Sequence, residues 1–98
     1  MERYSSRTID ELGRLVLHSD VRQLLDLKTN DNVSMLFVEN IAIVRRKSEG
    51  VEQGLATSAV DELGRIEIPA EYRKILGWQE KDRLAVYLTD NIIILKKA

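Results

Sequence analysis

The residues best equipped for chemistry in this sequence are arginines, and they come in matched sets. The pentapeptide Asp-Glu-Leu-Gly-Arg occupies positions 10–14 and again 61–65. Each copy ends in an arginine, Arg14 or Arg65, and another follows in each, Arg22 or Arg73. Arg7 and Lys74 extend the set. A guanidinium is planar and permanently charged, and its donor fork grips phosphate oxygens or a guanine edge with two bonds at once. The ordinary alternative is a set of surface ion pairs with the neighbouring acids, each worth about 0–1 kcal/mol.

Other residue types exclude other chemistry. Asp10-Glu11 and Asp61-Glu62 are neighbours on one turn, whereas general acid–base work needs two groups facing each other across a substrate. His18 is the only histidine and there is no cysteine. The sequence therefore offers no metal set, no thiol nucleophile and no cofactor motif, and it reads as a non-enzyme. With 15 Lys+Arg against 16 Asp+Glu the net charge is −1. No global field draws the chain to nucleic acid or to an anionic membrane, so any such binding needs a local patch. Hydrophobic residues at 44% and charged residues at 32% describe a soluble globular chain. No apolar run approaches the ~18 residues of a membrane span. The polar start, MERYSSRTIDELGR, has no signal-peptide core. A cytoplasmic protein is expected.

The arginines need elements to position them, and those elements are repeated. At an offset of 51 the alignment runs without a gap: Arg22 meets Arg73, Leu25 meets Leu76, Asp31 meets Asp82, and Asn40-Ile41 meet Asn91-Ile92. A length of 98 residues fits one small domain or two very small units sharing a core. The division expected is residues 1–47 and 59–98, with the polar stretch 48–58 as a linker. Each unit reads ββαββ. A short strand at 7–10 or 58–61 leads into the turn, and a second follows at 14–17 or 65–68. A short helix comes next. Pro69 suits its first turn and Gly77 its end in the second unit, and Ser19 is the expected N-cap in the first. Two strands close each unit, 32–38 with 41–46 and 83–89 with 92–97, through the two-residue turns 39–40 and 90–91. These last hairpins are apolar on both faces, so each needs cover that one unit cannot supply. Pairing of the two units is the economical solution.

Strand alternation sends Leu15, Leu17, Ile66 and Ile68 inward and Arg14 and Arg65 outward. Helical spacing buries Val21, Leu24 and Leu25, and likewise Tyr72, Ile75 and Leu76. Arg22, Arg73 and Lys74 are then expected to face solvent. With the units paired, the arginines form one basic face.

The stretch VDELGRIEIPAEYRKILGWQEKDRLAVYLTDNIIILKK, Val60–Lys97, resembles the AbrB/SpoVT DNA-binding domain, related to MazE and MraZ. The shared pattern is V-D-x-x-G-R-[IV]-x-[IL]-P, then E-x-R, a Leu-Gly helix end and a final I-I-L-x-K strand. Residues Ile9–Arg46 match it more loosely. The resemblance implies a mainly β fold with short helices, a swapped-hairpin barrel formed here by two repeats as an intrachain pseudo-dimer. Trp78 would plug one end. It also implies a DNA-binding transcriptional regulator whose contacts are Arg7, Arg14, Arg22, Arg65, Arg73 and Lys74, acting on double-stranded DNA at the nucleoid of a prokaryote. Departures stand at His18 for Pro, Asp26 for Gly, Gln23 for a second basic residue, and Ser58 for the Arg before the turn. The diverged halves imply a footprint that is not palindromic. An antitoxin that binds its own operator is the alternative. Such proteins usually add a flexible toxin-wrapping tail, and none follows the last strand here. A protein-interaction module that has lost DNA binding is a third reading. A homo-oligomer, a protein anti-repressor and a toxin remain open as partners.

Overall fold

A computed structural model of the chain describes residues 3–48 and 55–98. The elements are β1 (Arg3–Thr8), β2 (Arg14–Val16), α1 (Ser19–Leu24), β3 (Asn32–Val38), β4 (Ile41–Arg46), β5 (Ala56–Ala59), β6 (Arg65–Glu67), α2 (Ala70–Leu76), β7 (Arg83–Thr89) and β8 (Ile92–Lys97). The fold is mainly β with two short helices. Six strands form one antiparallel sheet in the order β1-β7-β8-β4-β3-β5, and β2 pairs with β6 in a small antiparallel ribbon.

The pairing crosses between the halves of the sequence. β1 bonds to β7, and β5 to β3. At the centre β4 meets β8 with Ile43 opposite Ile94. These two residues are 51 positions apart, so a two-fold pseudo-axis passes between them. The outer pairings obey the same relation: Ser6 meets Ala85, and Thr57 meets Ser34. Left-handed backbone also recurs at that offset, at Gly13 and Gly64, Asp26 and Gly77, Asn30 and Lys81, Glu39 and Asp90. In each hairpin turn the left-handed residue is the acid, Glu39 (φ 53°) or Asp90 (φ 48°), rather than the asparagine that follows.

One core lies between the sheet and the ribbon. Val33, Met35, Val44, Leu84, Ile93 and Leu95 from the sheet meet Leu15 and Ile66 from the ribbon. Each such side chain contributes about 1.5–3 kcal/mol by leaving water. Phe37 of β3 stacks on Tyr72 of α2, with ring centroids 4.2 Å apart. Trp78 joins the core just after α2.

Three expectations need correction. β5 begins at Ala56, inside the stretch expected to be linker, because β3 offers it an edge to pair with. The first strands accordingly sit a few residues earlier than the apolar pattern suggests. His18, not Ser19, is the N-cap of α1, in the extended backbone that Pro69 adopts before α2. Leu24 and Ile75 are exposed, at 57% and 78%. Helices of six and seven residues make one contact stripe each, and only Val21 with Leu25, or Tyr72 with Leu76, reaches the core.

Candidate nucleic-acid interface

The ribbon carries the DELGR arginines on the side away from the core. Each turn is built by its own aspartate. The Asp10 carboxylate accepts the backbone N–H of Leu12 at 2.9 Å and of Arg14 at 2.8 Å, and Arg14 Nε at 2.8 Å. Asp61 repeats this with Leu63 at 3.0 Å, Arg65 N–H at 2.8 Å and Arg65 Nε at 2.6 Å. Desolvation pushes both carboxyls up. The N–H groups of Arg14 or Arg65, their guanidiniums and the N–H of Leu12 or Leu63 outweigh it and hold both below the ordinary aspartate value. The acid thus fixes one edge of the guanidinium, so Arg14 and Arg65 are held before any ligand arrives.

Ribbon register sets Arg14 opposite Glu67 and Val16 opposite Arg65. Arg14 and Arg65 therefore approach each other diagonally across the ribbon. They share one open pocket with Ser58, Asp61, Glu67 and Pro69. Arginines from the two halves of the sequence meet on one surface.

Arg22 and Arg73 differ from the expectation. They are half-buried rather than free on the helix surface. Arg22 Nε donates to Leu17 O at 3.1 Å, and Arg73 Nε to Ile68 O at 2.8 Å. Their guanidiniums reach across to the opposite half. A Cβ built on Gly64 would stand 2.8 Å from Arg22 Cζ, and one on Gly13 would fall inside the Arg73 guanidinium. Both glycines hold φ near +80°, at +80° for Gly13 and +77° for Gly64. The turn glycine thus serves both the backbone conformation and the approach of the other half's arginine. Gly64 O accepts the N–H of Leu17 at 2.8 Å, and Gly13 O that of Ile68 at 2.9 Å, closing the same junction.

Arg7 sits at one end of the ribbon, half-buried, and its guanidinium donates to His18 Nε2. Its Nε is buried with no hydrogen-bond partner among the described residues. Ser58 holds the equivalent position in the second half, and its hydroxyl accepts the Glu67 N–H at 2.9 Å. Lys74 is exposed on α2. Sequence reasoning missed the clasp of Arg22 and Arg73 over the glycines. The usable signal was the joint recurrence of Gly and Arg at the 51-residue offset.

Residues 57–98 match a family described as antidote-toxin recognition MazE, a bacterial antitoxin. The chain is also 44% identical over 62 residues to the transition state regulatory protein AbrB of Bacillus subtilis (strain 168), across 63% of this chain and 51% of the relative. Residues 57–98 are similar to AbrB/MazE-type domains. The chain spans about half the length of that curated relative. The solution structure of PHS018 from Pyrococcus horikoshii shares the fold of the whole chain, with a TM-score of 0.56 at 22% identity, covering 100% of this chain and 98% of that one. The matched stretch contains Arg65, Arg73 and Lys74. Its six-stranded sheet is completed by β3, β4 and β1 from residues outside the matched stretch. Among the described residues no helix is long and apolar enough to cross a membrane.

Proposed function

We propose that this chain is a DNA-binding transcriptional regulator of the AbrB type. It would be built from two tandem units, the second beginning with β5, acting as an intrachain pseudo-dimer at the nucleoid. The observation that carries the reading is the convergence of Arg14 and Arg65, each braced by its aspartate, on the outer face of one ribbon. Arg22 and Arg73 add charge beside them while clasping the opposite turns. Arg7 and Lys74 flank the set. Phosphate contacts fix the register on the duplex, and one or two arginines together with DNA deformability give selectivity. The two ends of the ribbon differ, so the footprint is asymmetric.

Duplex binding is tested by gel-shift titration of the Arg14→Ala and Arg65→Ala variants. Each side chain is a quarter exposed and bonded to an exposed turn. Binding weakens by about 1–3 kcal/mol per arginine, with little change in the thermal midpoint. Variants that bind as tightly as wild type remove these arginines from the interface. A strictly two-fold footprint from two equivalent chains counts against the tandem pseudo-dimer.

The match of residues 57–98 to an antitoxin family favours a second reading, an antitoxin that represses its own operator. Stoichiometric copurification with a small ribonuclease encoded beside it would put that reading first.

A further inference from the structure

The hairpins that close each half are apolar on both faces, yet only one face of the sheet meets the core. Residues alternating with the core positions point away from it. Register aligns four of them in one row across the four central strands: Leu36 beside Ile43, Ile43 beside Ile94, and Ile94 beside Tyr87. Ile41 and Ile92 flank the row diagonally. Leu36 is 44% exposed and the others are half-buried. The row lies on the far side of the core from the arginine ribbon.

Symmetry and charge say what covers this face. The pseudo-axis passes through its centre, between Ile43 and Ile94. Arg45 stands beside Ile92, and Lys96 beside Ile41. The acids Asp90 and Glu39 lie in the turns two residues before those isoleucines. The surface thus has an apolar centre, with a cation and an acid at each end along the strands. Such an arrangement is complementary to itself.

We propose that a second copy of this chain docks on this face, sheet against sheet, with the two pseudo-axes coincident and the strands roughly aligned. Turning one sheet over onto the other brings Lys96 of each copy toward the Glu39 turn of the other. The row spans about 15 Å across four strands. That is at the small end of specific interfaces, so association is reversible, with a dissociation constant on the order of 10–100 µM. The arginine ribbons of the pair point in opposite directions.

The test uses the whole chain without DNA, so its outcome is independent of the proposed DNA contacts. Sedimentation equilibrium from about 5 µM to 1 mM at low salt, a range bracketing that constant, should show the mass rising from monomer toward dimer. The Ile43→Lys/Ile94→Lys double variant alters only half-buried outer positions. It should stay monomeric throughout, with a cooperative unfolding transition like that of wild type. Lys96→Glu should weaken association about tenfold, and adding Glu39→Lys should restore it. A monomer mass over the whole range overturns the proposal. So does self-association that the double isoleucine variant leaves intact.

Discussion

The two ends of the ribbon occupy equivalent places in the fold but differ in chemistry. At one end Arg7 lies against His18, and Tyr4 meets the His18 ring edge-on at 6.4 Å between centroids. At the other end Ser58 and Pro69 stand in those positions, and the space opens into the pocket shared by Arg14 and Arg65. The backbone around both ends is the same, down to the aspartate-built turn and the arginine clasped over the opposite glycine. The scaffold therefore tolerates divergence at the rim. Its constraints lie at the junction, where each half needs the other's glycine.

The largest effect is expected at that junction. Gly13→Ala combines left-handed strain with displacement of the Arg73 guanidinium from its bond to Ile68 O, and should destabilise the chain by about 1–3 kcal/mol in urea unfolding. Gly64→Ala, with 2.8 Å to Arg22, should cost less than Gly13→Ala. Gly77 is the control. It has the same backbone hand (φ +71°) but no neighbour within 4 Å of a Cβ, so Gly77→Ala should cost about 1 kcal/mol. Equal losses at Gly13 and Gly77 would reduce the clasp to simple backbone preference.

Acid should strike both turns alike, because Asp10 and Asp61 have the same partners. Their folded values lie below the unfolded value of about 3.9. Their contribution is present above that value and is lost as pH falls through the lower folded values. Stability measured by urea midpoint should be insensitive to these groups between about pH 5 and 7 and decline below about pH 4. Asp10→Asn and Asp61→Asn should each remove a similar part of that decline. An acid profile unchanged in both variants would show that the carboxylates do not support the turns.

The smallest effect sharpens the contrast between the ends. Ser58→Arg should fill the open pocket and steepen the salt dependence of duplex binding by about 0.9 in log–log slope. Arg7→Ser should do the reverse by a similar amount. If neither substitution moves the slope, the two ends do not contact phosphate.

Much of this architecture was legible in the sequence. The closing hairpins, 32–38 with 41–46 and 83–89 with 92–97, follow from alternation and turn residues, and the structure gives the same bounds. Gly77 was legible as a helix end because a residue without a Cβ takes φ +71° at no steric cost. At the equivalent place Asp26 accepts φ 56° and receives Arg46 at 2.6 Å, which nothing in its type announces. The strand expected at 58–61 forms two residues earlier, at Ala56–Ala59, because its bounds depend on pairing with β3, a contact remote in sequence. Arg22 and Arg73 were misread for a related reason. Helical spacing turned them outward, but the opposite half's turn occupies that side. Exposure predicted from one unit fails wherever the other unit supplies the neighbour. Leu24 and Ile75 show the converse, apolar residues at helical spacing on helices too short to bury three positions.

The central claim is that both halves deliver arginines to one duplex-binding surface. Its most direct test is the salt dependence of duplex affinity, measured by fluorescence anisotropy for wild type and for the Arg14→Ala/Arg65→Ala double variant. The predicted result is a linear log–log plot for wild type and a slope lower by about 1.8 in the variant, two phosphates at about 0.9 each. Parallel plots of equal affinity would contradict the account.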